Sequence, residues 1–262
     1  DGVSIENTND ELGNSDGVTY VAWAWDAGSS AATASTEGSV TPSAQWVNNT
    51  AGFSISKWTV PSSGTYTVGH GLSTKPDFML LKNLDTANNW DGYHYKVGAN
   101  YRFRLNEAYG KDDQAGAWND TEPTNTVFTT TVAWQSAGDD MIAYCWTGIP
   151  GFSAFGSFEG NGSADGPFVY TGFAVKYVLF KNSERTAGWQ LIDTIRDPFN
   201  YAGTPVWPNL NNAEGARNSA NGIDILSNGF KIRNTNNDYN YNGEEIIYAA
   251  FAEHPFKTAR AR

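Results

Sequence analysis

Apolar and polar positions alternate with period two in three closely similar stretches, and the rest of the chain repeats around them. Asp139-Asp140-Met141-Ile142-Ala143-Tyr144-Cys145-Trp146 has a second copy in Glu244-Glu245-Ile246-Ile247-Tyr248-Ala249-Ala250-Phe251 and a third in Val18-Thr19-Tyr20-Val21-Ala22-Trp23-Ala24-Trp25. Large residues share one face of each copy: Val21, Trp23 and Trp25; Ile142, Tyr144 and Trp146; Ile247, Ala249 and Phe251. Small residues share the other: Ala22 and Ala24, Ala143 and Cys145, Ala250. A dipeptide ending in Gly17, Gly138 or Gly243 precedes each copy, which fits a tight hairpin turn. The pattern predicts a closing strand buried between two layers, used once per repeated unit.

Further matches fix the period. Gly52-Phe53-Ser54 returns as Gly151-Phe152-Ser153, and Lys82-Asn83 with Trp90 returns as Lys181-Asn182 with Trp189, both at an offset of 99 residues. The closing strand is offset by 105, so an insertion of six residues lies between Trp189 and Phe251. The chain therefore reads as all-β: two tandem antiparallel β-sandwich repeats of about 100 residues, 51–150 and 151–256. Residues 1–50 hold the orphan closing strand of a preceding unit and a Gly/Ser/Thr-rich linker, and 257–262 form a basic tail. A closing strand without its unit implies a longer protein upstream. Left bare, Trp23 and Trp25 would expose an apolar patch beside an unpaired edge. The strand is thus expected in a contact with upstream chain, with unit one or with a neighbouring subunit, and oligomerisation follows.

Composition narrows the function. The net charge of −11 argues against nucleic acid and anionic membrane surfaces, and no stretch is apolar enough for membrane insertion. The one basic cluster, Lys257 to Arg262, reads as a solvated terminus. A single cysteine, Cys145, permits no disulfide within the chain and fits assembly in a reducing cytosol.

Catalytic patterns are sparse. His70, His94 and His254 have no metal-ligand spacing and read as structural or surface residues. The pairs Asp112-Asp113, Asp139-Asp140 and Glu244-Glu245 place neighbouring carboxylates on opposite strand faces, so they read as edge charges, not as an acid/base pair. Asp238, Asn240 and Asn242, with Gly243 sixth, match the first half of a Ca²⁺ loop. The closing Glu is missing, since position 249 is Ala, and an Asn-rich hairpin loop is the favoured reading. Tyr109, Trp118, Trp207, Tyr239 and Tyr241 lie in polar loops where nothing in the local pattern requires a ring. Sugars and protein partners use such rings as stacking platforms; sandwich ends use them as caps.

Motif order brings a family resemblance. Ala51-Gly52-Phe53-Ser54-Ile55, Val68-Gly69-His70-Gly71-Leu72, Pro76-Asp77-Phe78 and Lys82-Asn83 resemble a repeat found in virion proteins of tailed phages, marine ones especially. Gly160-Asn161-Gly162-Ser163-Ala164-Asp165-Gly166-Pro167-Phe168 and the ending Ala250 to Phe256 do so as well. The resemblance covers nearly the whole chain and implies a non-enzymatic virion structural protein, the C-terminal part of a tail fibre or related appendage. By the same analogy it would be a homotrimer beside other tail proteins, assembled in host cytoplasm and meeting a host-surface glycan or protein. A spacer or capsid-decoration protein and a polysaccharide depolymerase are the rival readings.

Overall fold

The computed structural model describes residues 16, 17, 20–113 and 115–252. The basic tail, His254, Val18, Thr19 and most of the predicted N-terminal loop lie outside the described residues. The protein is all-β, and every strand pair is antiparallel.

The first unit runs β1 (Ala44–Asn48), β2 (Phe53–Thr59), β3 (Thr65–Gly69), β4 (Phe78–Asn83), β5 (Asp91–His94), β6 (Tyr101–Arg104), β7 (Asp112–Asp113), α1 (Ala115–Trp118), β8 (Val127–Thr131) and β9 (Asp140–Trp146). The second runs β10 (Ser153–Glu159), β11 (Phe168–Tyr170), β12 (Val175–Asn182), β13 (Gln190–Asp193), β14 (Ile223–Leu226), β15 (Gly229–Ile232), α2 (Asn237–Asn240) and β16 (Glu245–Ala252). The main sheets have orders β1-β2-β9-β4-β5-β6-β7 and β10-β16-β12-β13, and the smaller sheets β3-β8 and β11-β15-β14. The stretch β2-β9-β4-β5 thus repeats as β10-β16-β12-β13. Register repeats too: Phe78 opposes Trp146 and His94, and Tyr177 opposes Phe251 and Asp193. The first strand slips by one residue, because Phe53 opposes Trp146 while Ser153, not Phe152, opposes Phe251.

Side-chain alternation sorts the cores. Met79, Leu81, Met141, Ala143 and Cys145 face the small sheet of unit one, with Trp58, Tyr66, Val68 and Phe128. Val178, Phe180, Ile246, Tyr248 and Ala250 do the same in unit two, with Val169, Phe230 and Ile232. The opposite faces, Phe53, Phe78, Leu80, Phe103 and Trp146 against Phe155, Leu179, Trp189, Leu191, Ile247 and Phe251, meet in a third core. The two main sheets therefore lie face to face, and the molecule is four layers deep. The small-residue face fills each sandwich and the large-residue face makes the seam between units. Cys145 is fully buried in the first sandwich, and burial pushes its thiol up to about 12, so it acts as a small core residue.

Two sequence expectations fail upstream of unit one. Residues 20–27 keep the alternation, with Val21, Trp23 and Trp25 half-buried and Ala22 and Ala24 exposed, but they form no strand. The indoles supply the attachment instead. Trp23 meets Tyr177 edge-on at 5.7 Å, and Trp25 meets Tyr177, Phe251 and Trp146 at 5.5, 5.3 and 6.1 Å. The contact is made within the chain, at the mouth of the seam and mostly with unit two, a partner the sequence reading did not name. The stretch read as linker is also built into unit one. β1 pairs along β2, Ala32 N–H donates to Gln45 O at 2.8 Å, and Val40 N–H to Thr67 O at 3.0 Å. Gln45 is buried, and its amide donates to Ser56 Oγ and Gly69 O, both at 2.8 Å, so a polar side chain holds a core position.

Candidate functional site

The five loop aromatics separate into two groups. Trp118 and Tyr239 are core residues, 1% and 0% exposed, which removes them as binding candidates. Helix α1 turns Trp118 inward onto Tyr93, centroids 5.7 Å apart, and α2 stacks Tyr239 on Phe180 at 5.6 Å. A one-turn helix inside a polar loop buries its ring, which local polarity cannot show. Tyr109 is 59% exposed, Tyr241 39% exposed, and Trp207 half-buried.

The other three gather around one loop, residues 183–188 of unit two. The Arg185 guanidinium lies 3.6 Å above the Tyr241 ring. Trp207 edges against Gly188, where an added Cβ would stand 3.3 Å from the indole. Tyr109 reaches the loop from unit one, because Lys111 N–H donates to Ser183 O at 2.7 Å and Ala187 N–H to Ala108 O at 2.8 Å. A cleft of about 380 Å³ opens there, lined by Tyr109, Arg102, Arg104, Lys111, Asp112 and Arg185 among others.

Its charged groups hold one another in place. Arg102, only 4% exposed, donates to Asp91 and Asp112 and lies 3.6 Å over the Trp134 ring. Arg104 pairs with Glu107 at 2.6 Å and Lys111 with Glu184 at 2.7 Å. Arg185 grips Glu244 through Nε and Nη2 at 2.6 and 2.7 Å, and this hydrogen bonding lowers the Glu244 carboxyl below its ordinary value. Burial raises the Asp91 carboxyl, with the Arg102 charge opposing. Such a cleft offers an aromatic plane beside fixed donors and acceptors, the chemistry that takes a sugar ring. The sequence pattern missed Arg102, Arg104, Lys111 and Arg185. The alternation Tyr101-Arg102-Phe103-Arg104-Leu105 was the local signal for the two β6 arginines, and it reads equally as a strand with a wet face.

A repeated lock fixes the loop. Lys181 Nζ donates to Asn182 O at 2.6 Å and Arg185 O at 3.2 Å, as Lys82 Nζ does to Asn83 O and Thr86 O at 2.6 and 3.1 Å. Asn182 Nδ2 donates to Glu244 Oε2 at 2.8 Å, and Asn83 Nδ2 to Asp139 Oδ2 at 2.7 Å. Asp139 and Glu244 are therefore equivalent clamps and not edge charges, which corrects the sequence reading. Lys181 is fully buried, and desolvation pushes its ammonium down to about 8. Asn182→Ala strips the clamp of its donor and is expected to cost about 1–3 kcal/mol, read as an earlier denaturant midpoint; an unmoved midpoint would show that the lock adds no stability.

Two of the three Ca²⁺ candidates are spent elsewhere. Asn240 is buried; its Oδ1 accepts from Asn161 N–H, and its Nδ2 donates to Ser163 O and Asn234 O. Asp238 accepts from Gln190 Nε2 at 3.2 Å, and Asn242 is exposed. Asp238 and Asn240 sit in α2, whose helical turn replaces the chelating loop that the spacing suggested. Among the described residues no group of three His, Cys, Asp or Glu is placed to hold a metal ion.

No curated protein matches the chain. Among solved structures, the crystal structure of the major capsid protein P2 from bacteriophage PM2 is matched at 11% identity and a TM-score of 0.22, covering 77% of this chain and all of that one; a likeness so low bears on neither fold nor role. A family model described as a domain of unknown function, DUF7483, matches residues 1–255, and the chain belongs to that family.

Proposed function

We propose that this protein is a non-enzymatic virion structural protein of a tailed phage, the C-terminal part of a tail fibre or related appendage that presents the cleft beside Tyr109 to a host-surface glycan. The motif resemblance over nearly the whole chain supports the virion assignment. The observation that carries the binding role is the gathering of Tyr109, Trp207 and Tyr241 around one loop, on a block whose two units are fused through a common core. A rigid scaffold with rings at a junction suits display: the scaffold fixes the cleft, Tyr109 lines it, and Trp207 and Tyr241 flank the same loop, so the rings supply area at low entropic cost. Other virion proteins would hold the chain upstream.

Two measurements test this. Antibody against the chain is expected to label phage particles at the tail; label on the capsid alone would move the protein to decoration, and none would remove it from the virion. On an array of neutral and acidic oligosaccharides, the triple variant Y109S/W207S/Y241S is expected to lose at least tenfold in affinity, since each stacked ring is worth about 1 kcal/mol. Absence of binding by the unaltered protein would leave a spacer. Reducing sugar released from the same oligosaccharides would make it a depolymerase.

A further inference from the structure

The two units differ at one edge. β3 and β11 are equivalent strands: each pairs a buried Val with a buried Phe, Val68 with Phe128 and Val169 with Phe230. In unit one the free edge of β3 is covered by the chain's own residues 35–40. Val40 bridges to Val68 in parallel, Val40 N–H donates to Thr67 O, and Thr67 N–H donates to Ser39 Oγ at 2.9 Å. The fit is close: a Cβ on Gly38 would lie 2.6 Å from Thr67 O.

Unit two has no such cover. The covering segment of unit one comes from the long run after Trp25, whereas only residues 147–150 separate Trp146 from Gly151. β11 pairs with β15 alone, and no bridge lies against its other side among the described residues. Pro167 O accepts from Ile232 N–H, and Thr171 N–H donates to Asn228 O, so both turn toward the sheet. By the period of two, Phe168 and Tyr170 turn their N–H and C=O groups outward. Where unit one has the small Thr67 and Gly69, unit two has Phe168 and Tyr170, 47% and 67% exposed. Natural sheets blunt open edges with charge or Pro; this one carries two bare aromatics.

We propose that β11 is a homotypic docking edge, at which two copies of this chain pair β11 to β11, antiparallel about a twofold axis centred on Val169. That register sets Phe168 opposite Tyr170 of the partner subunit, and Tyr170 opposite the partner's Phe168. A twofold contact needs one self-complementary patch, and a strand with an aromatic on each side of a central Val is one. Two aromatic cross-strand pairs form on one face, and four outward backbone groups find partners. Local charge permits it on a chain of net charge −11: around β11, Lys231 and Arg233 are paired with Asp165 and Asp224, two bases against two acids. The contact makes a dimer where resemblance alone suggested a trimer, and it stands independently of any glycan role.

Sedimentation of the full chain over a range of concentrations tests it. A monomer–dimer equilibrium is expected, tightening with salt as the remaining like charge is screened. F168K/Y170K places like charges opposite one another and is expected to raise the dimer dissociation constant at least tenfold. Both side chains are exposed, so an unchanged circular dichroism spectrum shows the fold intact. F168C and Y170C should form an interchain disulfide when mixed, and far less when either is oxidised alone, while buried Cys145 stays unreacted. A monomer at every concentration, or a dimer that F168K/Y170K leaves as firm, overturns the proposal. Crosslinking by F168C alone as fast as by the mixture overturns the register.

Discussion

Trp146→Ala is expected to cost about 3–5 kcal/mol, the usual range for emptying a buried aromatic site. Trp146 is 7% exposed at the end of β9; its ring stacks on Phe53 with centroids 4.8 Å apart and on Tyr144 at 6.2 Å, and meets Phe78 tilted at 5.5 Å. Trp25 closes the fourth side edge-on at 6.1 Å. None of these partners can follow the missing ring, because each is fixed by a strand or by other rings, so a cavity remains. The loss falls on the seam, so both units should feel it. Hydrogen exchange is expected to quicken in β12 and β16 as well as in β4 and β9. The melting temperature should drop by roughly 10 °C for a domain of this size. A melting temperature within error of the parent would mean that the seam does not stabilise the fold. Faster exchange confined to unit one would mean that the two units unfold separately.

The repeat was legible in the sequence because its carriers are covalent spacings. The offset of 99 between Lys82-Asn83 and Lys181-Asn182 survives in the register of β4 with β5 and of β12 with β13. Alternation also sorted residues correctly into faces, yet it could not say what each face meets. Large rings at Trp146 and Phe251 look like sandwich core, but they fill the seam between the two main sheets that face each other, while Ala143 and Ala250 lie beneath the small sheets. Polarity misled wherever a polar group is buried with its bonds made. Gln45 sits in β1 with Ser56 and Gly69 O as partners, so a Gly/Ser/Thr-rich run holds a strand. Trp118 and Tyr239 share that lesson from the other side: polar neighbours surround an inward-turned ring. The cleft was invisible for a further reason. Its walls come from residues 102–112 and 184–186, brought together only by the packing of the two units.

Acid should weaken the fold between pH 6.5 and 4, through two buried imidazoles. His94 is 1% exposed on β5, at the seam; Nε2 lies 3.2 Å from Tyr248 O across the unit boundary, and Nδ1 accepts from Lys96 N–H at 3.2 Å. His70 is fully buried, with Nε2 3.2 Å from Thr124 O and Nδ1 accepting from Leu72 N–H at 3.1 Å. In each ring a backbone N–H donates to Nδ1, so the neutral Nε2–H tautomer satisfies every bond, and a proton on Nδ1 would face a donor. Burial pushes both down to about 4, and the Lys96 charge adds to the effect at His94. The folded values lie below the unfolded value near 6.5, so the unfolded chain binds more protons throughout that window and stability falls as pH falls. Each imidazole is worth up to about 3 kcal/mol over the full interval, from 1.36 kcal/mol per pKa unit. Loss of the lowered carboxylates Asp140 and Glu244 acts in the same direction below that window, whereas the raised Asp77 and Asp91 oppose it. Gln in place of either His keeps an amide donor for the carbonyl and an oxygen for the N–H, without the titration. Urea midpoints taken at half-unit steps from pH 7.5 to 4 should therefore fall steeply for the parent, less so for His94→Gln, and least for H70Q/H94Q. The slope between pH 6.5 and 4.5 is the readout, since any constant penalty of substitution shifts the line without tilting it. Equal slopes in all three proteins would show that neither imidazole is held neutral by the fold.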